Sequence, residues 1–248
     1  GRWIVSAFGG VANQWMLIGV SQTADPTGAY NLFAVQANVG TNGFNHVGHF
    51  LDFDMIGFDP NNVIWTININ NGSVWIHSDV YVVNKAKLIA GGALVYGTDF
   101  TIFHNPCSGV GTGLNFAPCV TFGQTPANAV NYILDNGFYT TSDLTVRLVR
   151  VSAVTGVGAA ATLNCMSNNN FVVVPGCWNY NVASASQPNA CAAISTNSSN
   201  ITSAATVRNG KIWFTHHAGA NIPACASPAT NPAATKAEVV WGQIDPAS

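Results

Sequence analysis

The chain has 248 residues, of which 48% are apolar and 7% are charged, and its formal net charge is −2. This length is enough for a large all-β domain with a sizeable core. Eight Lys and Arg residues against ten Asp and Glu residues leave no basic patch, so nucleic acid and anionic membranes are not expected partners. No run of eighteen apolar residues occurs, so no membrane-spanning segment is predicted.

Short antiparallel strands are predicted throughout the first part of the chain. They are rich in β-branched and aromatic residues, and turn formers separate them at residues 9–10, 25–28 and 59–62. One short helix is predicted over residues 84–90, because Gly91 and the next glycine end it. The predicted strands span residues 2–8, 15–22, 30–36, 50–58, 63–69, 73–83 and 99–103.

The second part alternates between predicted loops and strands. Residues 105–128 are predicted to be a loop because they are rich in Cys, Gly and Pro. Residues 164–200 are predicted to be an Asn- and Ser-rich loop excursion that cysteines keep ordered. The remaining predicted strands span residues 130–134, 144–154, 206–217 and 237–244.

This pattern predicts an all-β fold. Roughly a dozen short strands with turns every eight to twelve residues are typical of a sandwich, a barrel or a propeller, and all three remain open at this point. No charge run, heptad repeat or long linker divides the chain. Residues 1–248 are therefore predicted to form a single domain.

Six cysteines lie in the second part of the chain, and no C-x-x-C occurs, which excludes zinc-ribbon and thioredoxin-like sites. An even number of cysteines predicts disulfides and an oxidising compartment. Buried free thiols are the alternative. Because short loops close most easily, the favoured pairs are Cys107–Cys119, Cys165–Cys177 and Cys191–Cys225.

Three N-x-[ST] sequons begin at Asn71, Asn197 and Asn200. Such sequons are glycosylation acceptors in secreted proteins. Together with the predicted disulfides, they favour a glycoprotein located outside the cell or on its surface.

Several segments carry recognisable local patterns. Residues 2–6 read Arg-Trp-Ile-Val-Ser, residues 21–30 follow S-x-T-x-D-P-T-G-x-Y, and residues 56–59 begin a hairpin of the form [IL]-G-x-D. These segments, together with residues 240–246, resemble a family of secreted bacterial β-propeller proteins of mostly unassigned role. Residues 54–57 depart from the family's D-Y-P-K-[IL]-G segment, because they lack its Pro and Lys.

The resemblance implies a β-propeller of about four to five blades, either as a small closed ring, as an incomplete ring or as a processed fragment of a longer precursor. A β-sandwich or barrel is the alternative architecture. Residues 23–30 also resemble the Asp-box turn of sialidase-like propellers. In that turn the Asp side chain accepts hydrogen bonds from backbone amides, which implies a structural role for Asp25.

The compact set of His46, His49, Asp52 and Asp54 contains the best candidates for metal ligands. On a regular strand, however, Asp52 and Asp54 lie on one face, while His49 lies on the other face with Leu51. The expectation is therefore loop histidines, turn-capping aspartates and no cofactor. Calcium, held by oxygen ligands of the acidic turns, is the secondary possibility.

Histidines elsewhere in the chain are given structural roles. His77 and Asp79 share a strand face, because they are two residues apart, and they are expected to make a cross-strand polar contact rather than a metal site. One of the rings of His216 and His217 is expected to pack inside the protein and the other to point outwards.

The sequence contains none of the common catalytic patterns. Neither G-x-S-x-G nor H-E-x-x-H occurs, and Glu238 is the sole Glu, so no carboxylate pair can be named. The sequence favours a non-catalytic structural or adhesive protein that binds a glycan or a protein or associates with itself. Trp178 is one candidate for stacking on sugars. The alternative is a polysaccharide-active glycoside hydrolase or lyase with its site in a propeller funnel.

Overall fold

The computed structural model describes residues 1–9, 14–37, 48–107, 114–122, 130–136, 147–165, 171–174, 201, 203–220 and 236–246. The described residues form a nearly all-β structure with a single short α-helix, α1 (Lys85–Ala90). No helix among them is long and apolar enough to cross a membrane. The strands are β1 (Ile4–Gly9), β2 (Trp15–Ser21), β3 (Tyr30–Gln36), β4 (Phe50–Phe58), β5 (Asn62–Asn71), β6 (Val74–Asn84), β7 (Phe100–His104), β8 (Leu114–Thr121), β9 (Asn131–Asn136), β10 (Arg147–Thr155), β11 (Thr162–Asn164), β12 (Phe171–Val174), β13 (Ala205–Arg208), β14 (Lys211–Ala220) and β15 (Lys236–Ile244).

The strands form four antiparallel units in chain order. Sheet 1 contains β1, β2 and β3, and sheet 2 contains β4, β5, β6 and β7. Sheet 3 contains β8, β9 and β10, with β11 and β12 both pairing with β10. Sheet 4 contains β13, β14 and β15. Apart from β11 and β12, which both pair with β10, consecutive strands within each unit lie side by side, as in an up-and-down meander.

The first strands of sheets 2, 3 and 4 lie next to one another and run parallel. Phe58 of β4 pairs with Val120 of β8, and residues 205–207 of β13 pair with residues 119–121 of β8. The β4–β8 contact joins sheets 2 and 3 into a nearly closed, barrel-shaped path of eight strands from β7 to β11.

Three apolar cores lie between successive sheets. The first core joins Met16 and Phe33 of sheet 1 to Trp65 of sheet 2. The second core joins Ile64 and Val82 on the other face of sheet 2 to residues of sheet 3 that include Phe116, Ile133 and Val154. The third core joins Leu134 and Val151 of sheet 3 to Ile212 and Phe214 of sheet 4. Sheets 2 and 3 are therefore covered on both faces, and this explains their near-continuous apolar strands.

Gly57 allows β4 and β8 to approach closely. A Cβ atom at this position would lie 2.5 Å from the carbonyl oxygen of Cys119 and 2.8 Å from Cβ of Pro118. Any side chain would therefore push the two strands apart, which is a common reason for glycine within a strand.

The predicted strands of the first part are confirmed with shifts of only a few residues, and α1 begins after Asn84, whose side chain caps it. The predicted loop over residues 105–128 is wrong at its centre, because residues 114–121 form β8. Burial explains the difference: Phe116, Ala117 and Cys119 are buried between neighbouring sheets. Packing on both faces outweighs the loop-like composition of this segment.

Two of the three predicted cysteine pairs are also wrong. The structure joins Cys107 to Cys165, with 5.6 Å between their Cα atoms, instead of forming the expected Cys107–Cys119 and Cys165–Cys177 pairs. Cys119 has a free, buried thiol in the middle of β8. The positions of the strands, rather than the length of the closed loop, determine which cysteines pair. Cys107 follows β7 and Cys165 follows β11, and these are the outer strands of sheets 2 and 3, which pack on each other. The predicted Cys191–Cys225 pair and Cys177 lie outside the described residues.

Candidate functional site

A buried polar network lies in sheet 2, where Asp79 contacts two histidines. The Oδ2 atom of Asp79 lies 2.8 Å from Nδ1 of His104, and its Oδ1 atom lies 3.2 Å from Nε2 of His77. The backbone amide of Asn105 also donates to Oδ1. All three ionisable side chains are buried. The β6–β7 register places His104 opposite Asp79, which confirms the expected cross-strand polar contact for Asp79. The contact between His77 and Asp79 lies along one strand.

Tyr81 lies on the same strand face as Asp79, facing the first core. Burial raises the pKa of Tyr81 well above its ordinary value, and the negative charge of Asp79 raises it further. Its hydroxyl oxygen is buried without a hydrogen-bond partner among the described residues. The network is thus enclosed between sheets, and the geometry is that of a structural polar contact rather than of a site open to substrate.

The Asp25 turn is a structural turn, as its resemblance implied. The Oδ1 atom of Asp25 accepts hydrogen bonds from the hydroxyl and the backbone amide of Thr27, at 2.7 and 2.8 Å. These two bonds lower the pKa of Asp25. Tyr30 closes the turn by donating from its hydroxyl to the carbonyl of Pro26. This carboxylate is therefore used to fix the β2–β3 connection.

Asp59 has the same role in the β4–β5 hairpin. Its Oδ1 atom accepts hydrogen bonds from the backbone amides of Asn61 and Asn62, both at 2.7 Å. Asn62 is buried and extends the contact to sheet 3, since its side chain donates to the carbonyl of Gly156 and accepts from the amide of Gly158. The predicted turn at residues 59–62 is confirmed, and it also joins two sheets.

The candidate metal ligands have separate partners in the structure. Asp52 accepts a hydrogen bond from Asn70 of β5, and Asp54 accepts one from Ser6 of β1. Among the described residues, no group of three or more His, Cys, Asp or Glu side chains could hold a metal ion. His49 is described but belongs to no such group, and His46 lies outside the described residues.

A bulge in β4 corrects the predicted face assignment of this segment. Phe53 has a φ of 53°, and the β4–β5 register shifts between Asp52 and Met55. As a result, Leu51 faces the first core and Met55 faces the third core, although an unbroken strand would place both on one face.

A groove of about 880 Å³ lies between sheet 1 and the β4–α1 region of sheet 2. Its walls are mainly apolar, and Arg2 and Lys85 lie at its margin. Both cations have partners, because Arg2 donates to the carbonyl of Gln22 and Lys85 donates to the carbonyl of Asp59 at 2.7 Å. The groove therefore combines apolar walls with two positively charged side chains, each of which donates a hydrogen bond to a backbone carbonyl.

Two tryptophans form an exposed aromatic pair on the outer face of sheet 4. The rings of Trp213 and Trp241 have centroids 5.9 Å apart and planes inclined by 21°. Trp213 is 39% exposed and Trp241 is 67% exposed. Thr206 and Thr215 line the same shallow surface. Exposed tryptophans in contact with one another commonly mark a binding surface.

The remaining predicted positions divide between described and undescribed parts of the chain. Asn71 is exposed at the end of β5, beside the β5–β6 turn, so its side chain is accessible for modification. Asn197, Asn200 and Trp178 lie outside the described residues. His216 is buried and packs parallel to the ring of Phe214, with centroids 6.2 Å apart, as expected for a packed histidine.

Sequence reasoning missed the roles of His104 and of the tryptophan pair. Strand register sets both arrangements: it places His104 opposite Asp79, and it places Trp241 opposite Thr215 and therefore beside Trp213. Register depends on contacts between residues that are distant in the chain. The one local signal in the sequence is the two-residue spacing of Trp213 and Thr215, which places both side chains on the same face of a strand.

Comparisons with protein-family models, curated proteins and solved structures found no match to this chain.

Proposed function

We propose that this protein is a non-catalytic extracellular protein of the β-propeller type, with a structural or adhesive role. Support for the architecture comes from four meanders that follow one another in the chain, with parallel first strands at β4, β8 and β13. Propeller blades repeat in the same way around a central axis. The motif resemblance of residues 2–6 and 21–30 points in the same direction.

The Cys107–Cys165 disulfide supports the extracellular assignment, because such bonds persist in oxidising compartments. The low charge of the chain and the exposed sequon at Asn71 agree with it. We therefore assign the protein to the extracellular space or the cell surface.

The ionisable groups with defined contacts support a non-catalytic role. Asp25 and Asp59 cap turns, and Asp79 is buried with two histidines. The observation that carries the proposal is the exposed Trp213–Trp241 pair. It offers apolar contact area rather than acids, bases or nucleophiles, and aromatic side chains dominate the energetics of binding surfaces.

A glycan is the second candidate ligand for this surface. Sugars present apolar ring faces beside hydroxyl groups, and the tryptophan rings lie next to the hydroxyls of Thr206 and Thr215. The same surface could therefore bind a polysaccharide by ring stacking combined with hydrogen bonds.

Incubation of the secreted, disulfide-intact protein with a panel of soluble polysaccharides tests the proposal. We expect no release of reducing ends or unsaturated products. If a glycan is the ligand, we also expect the polysaccharide to retard the migration of the protein in affinity electrophoresis. Trp241→Ala then abolishes the retardation, whereas Trp3→Ala, at an exposed tryptophan of another sheet, leaves it unchanged. Product release at rates above background would instead support the polysaccharide-active enzyme.

A further inference from the structure

The groove between sheet 1 and the β4–α1 region has the size of a small-molecule site. Its volume of about 880 Å³ lies within the range of about 300–1,000 Å³ that is usual for ligand pockets. Side chains of the first core extend to its walls, and they are aliphatic apart from that of Phe58. These wall residues are Ile4, Val20, Ile56, Phe58, Val63 and Leu88. Such walls favour an alkyl chain over a ligand rich in hydroxyl groups, which would lose its hydrogen bonds to water there.

Hydrogen bonds at both ends of α1 hold one wall of the groove in place. At the start of the helix, the side chain of Asn84 accepts from two backbone amides, and the amide of Lys85 donates to the carbonyl of Asn61 at 2.8 Å. At its end, the side chain of Asn31 in β3 donates to the carbonyl of Ile89 at 3.0 Å, which joins α1 to sheet 1. The groove is therefore formed without a ligand, and a pre-formed site binds at little cost for ordering its walls.

Lys85 places an ammonium group beside the apolar wall. Its Nζ atom lies 2.7 Å from the carbonyl oxygen of Asp59 and 5.3 Å from the centroid of the Phe58 ring. The carbonyl uses one of the three N–H donors of the ammonium group. A bound anion can therefore take a further donor while its apolar part contacts Phe58.

Arg2 brings a second positive charge to the groove from the side of sheet 1. Its guanidinium donates to the carbonyl of Gln22, which uses one of its five N–H donors. In the described part of the chain, neither Arg2 nor Lys85 forms an ion pair with a carboxylate. The described residues that line the groove include no Asp or Glu, and the carboxylate of Asp59 caps its own hairpin. The groove therefore carries a positive charge that no described side chain neutralises.

We propose that this groove binds a small amphipathic anion, an alkyl chain that ends in a carboxylate. The chain lies along the aliphatic walls, where its burial removes apolar surface from water. The carboxylate accepts a charge-assisted hydrogen bond from Lys85, and the charge of Arg2 adds to the attraction. The two cations select an anionic end group over a neutral or a cationic one. This site goes beyond the structural or adhesive role proposed above, and it is separate from the Trp213–Trp241 surface of sheet 4.

Isothermal titration calorimetry of the disulfide-intact protein with sodium decanoate, below its micelle concentration, tests the proposal. We expect saturable binding of one decanoate per chain. Two control ligands separate the parts of the molecule: acetate has the carboxylate without the chain, and decyltrimethylammonium has the chain with the opposite charge. Neither should bind at the same concentrations. Absence of saturable decanoate binding, or equal binding of the decyl cation, overturns the proposal.

Removal of single charges tests the role of the cations. Lys85→Met keeps an unbranched apolar side chain and should raise the Kd for decanoate by about tenfold or more. Arg2→Met, at an exposed residue, should raise it by a smaller factor and serves as the test if Lys85→Met does not fold. Lys87→Met is the matched control and should leave the Kd unchanged, because Lys87 lies in the same helix but pairs with Asp99 at 3.9 Å outside the groove walls. An unchanged Kd in both folded groove variants overturns the proposal.

Added bulk tests where the chain of the ligand lies. Ala24→Trp places an indole ring at the groove and should weaken decanoate binding, whereas Ala34→Trp, on the outer face of sheet 1, should not. The reverse pattern would move the binding site to that outer face and overturn the proposal. The two proposals fail separately: polysaccharide cleavage contradicts the non-catalytic function and leaves this site intact, whereas a non-catalytic protein that does not bind decanoate contradicts only this inference.

Discussion

The Oδ2 atom of Asp79 lies 2.8 Å from Nδ1 of His104 across the β6–β7 pair, and both side chains are buried. A buried carboxylate needs such partners, because an isolated charge in the interior is strongly unfavourable. The contact therefore links β6 and β7, the last two strands of sheet 2, through side chains as well as through backbone hydrogen bonds.

Asp79→Asn should lower the free energy of unfolding by about 1–3 kcal/mol, because it leaves buried hydrogen-bond partners of the carboxylate unmatched. Urea denaturation followed by tryptophan fluorescence measures the change. Asp54→Asn is the matched control: its exposed carboxylate accepts a bond from Ser6, and we expect a loss below about 1 kcal/mol. Equal losses for both variants would show that burial of Asp79 has no energetic consequence.

Gly57→Ala should lower the free energy of unfolding by about 1–3 kcal/mol through overpacking, because the added methyl would lie 2.5 Å from the carbonyl oxygen of Cys119. Gly9→Ala is the control, since its Cβ would make an ordinary 3.5 Å contact with Leu17. Thermal unfolding of the two variants provides the comparison. An unchanged midpoint for Gly57→Ala would mean that β4 and β8 do not approach as closely as described.

Cys107→Ser should destabilise the protein by about 4 kcal/mol, the chain-entropy value for a loop of this size, since the bond joins residues 58 apart in the sequence. Peptide mapping without reduction should recover a Cys107–Cys165 cross-linked peptide.

Cys119 should resist alkylation in the native protein and react after unfolding, because burial raises the pKa of its thiol and blocks access. Rapid native alkylation of Cys119 would contradict the buried position.

Stability should fall in alkaline solution, and the sign follows from proton binding. Burial raises the pKa of Tyr81 above the ordinary tyrosine value of about 10, so above about pH 10 the unfolded chain loses this proton while the folded chain retains it. The unfolded state then binds fewer protons, and stability decreases as pH rises. Tyr81→Phe removes this contribution. Since the buried hydroxyl has no hydrogen-bond partner among the described residues, the variant should be neutral or more stable at pH 7.

Denaturation of wild type and Tyr81→Phe at pH 7 and at about pH 10.5 provides the test. The loss between the two pH values should be smaller in the variant. Identical losses would show that Tyr81 titrates normally in the folded protein.

Local sequence signals were sufficient to predict most strands and turns. Tyr30–Gln36 and Phe50–Phe58 form strands with the predicted bounds, because β-branched and aromatic residues between strong turn formers leave few alternatives. Residues 59–62 form the predicted hairpin for a similar local reason, since Asp59 caps its own turn.

Features that depend on distant contacts could not be predicted in this way. The β4 bulge at Phe53 reverses the face of the residues after it, and nothing in the alternation of residues 50–58 indicates an extra residue. The segment of β8 has the composition of a loop and becomes a strand through burial on both faces. His104 joins the Asp79 network only through the register of β6 and β7.

The Cys107–Cys165 bond has a mechanical consequence for the fold. Sheets 2 and 3 contact each other through β4 and β8 at one edge, and the bond holds the opposite edge, after β7 and β11. A load applied to the ends of the chain cannot extend the enclosed segment until a sulfur–sulfur bond breaks. That segment has a contour length of about 200 Å. The protein should therefore lengthen under tension much further in a reducing medium than in an oxidising one.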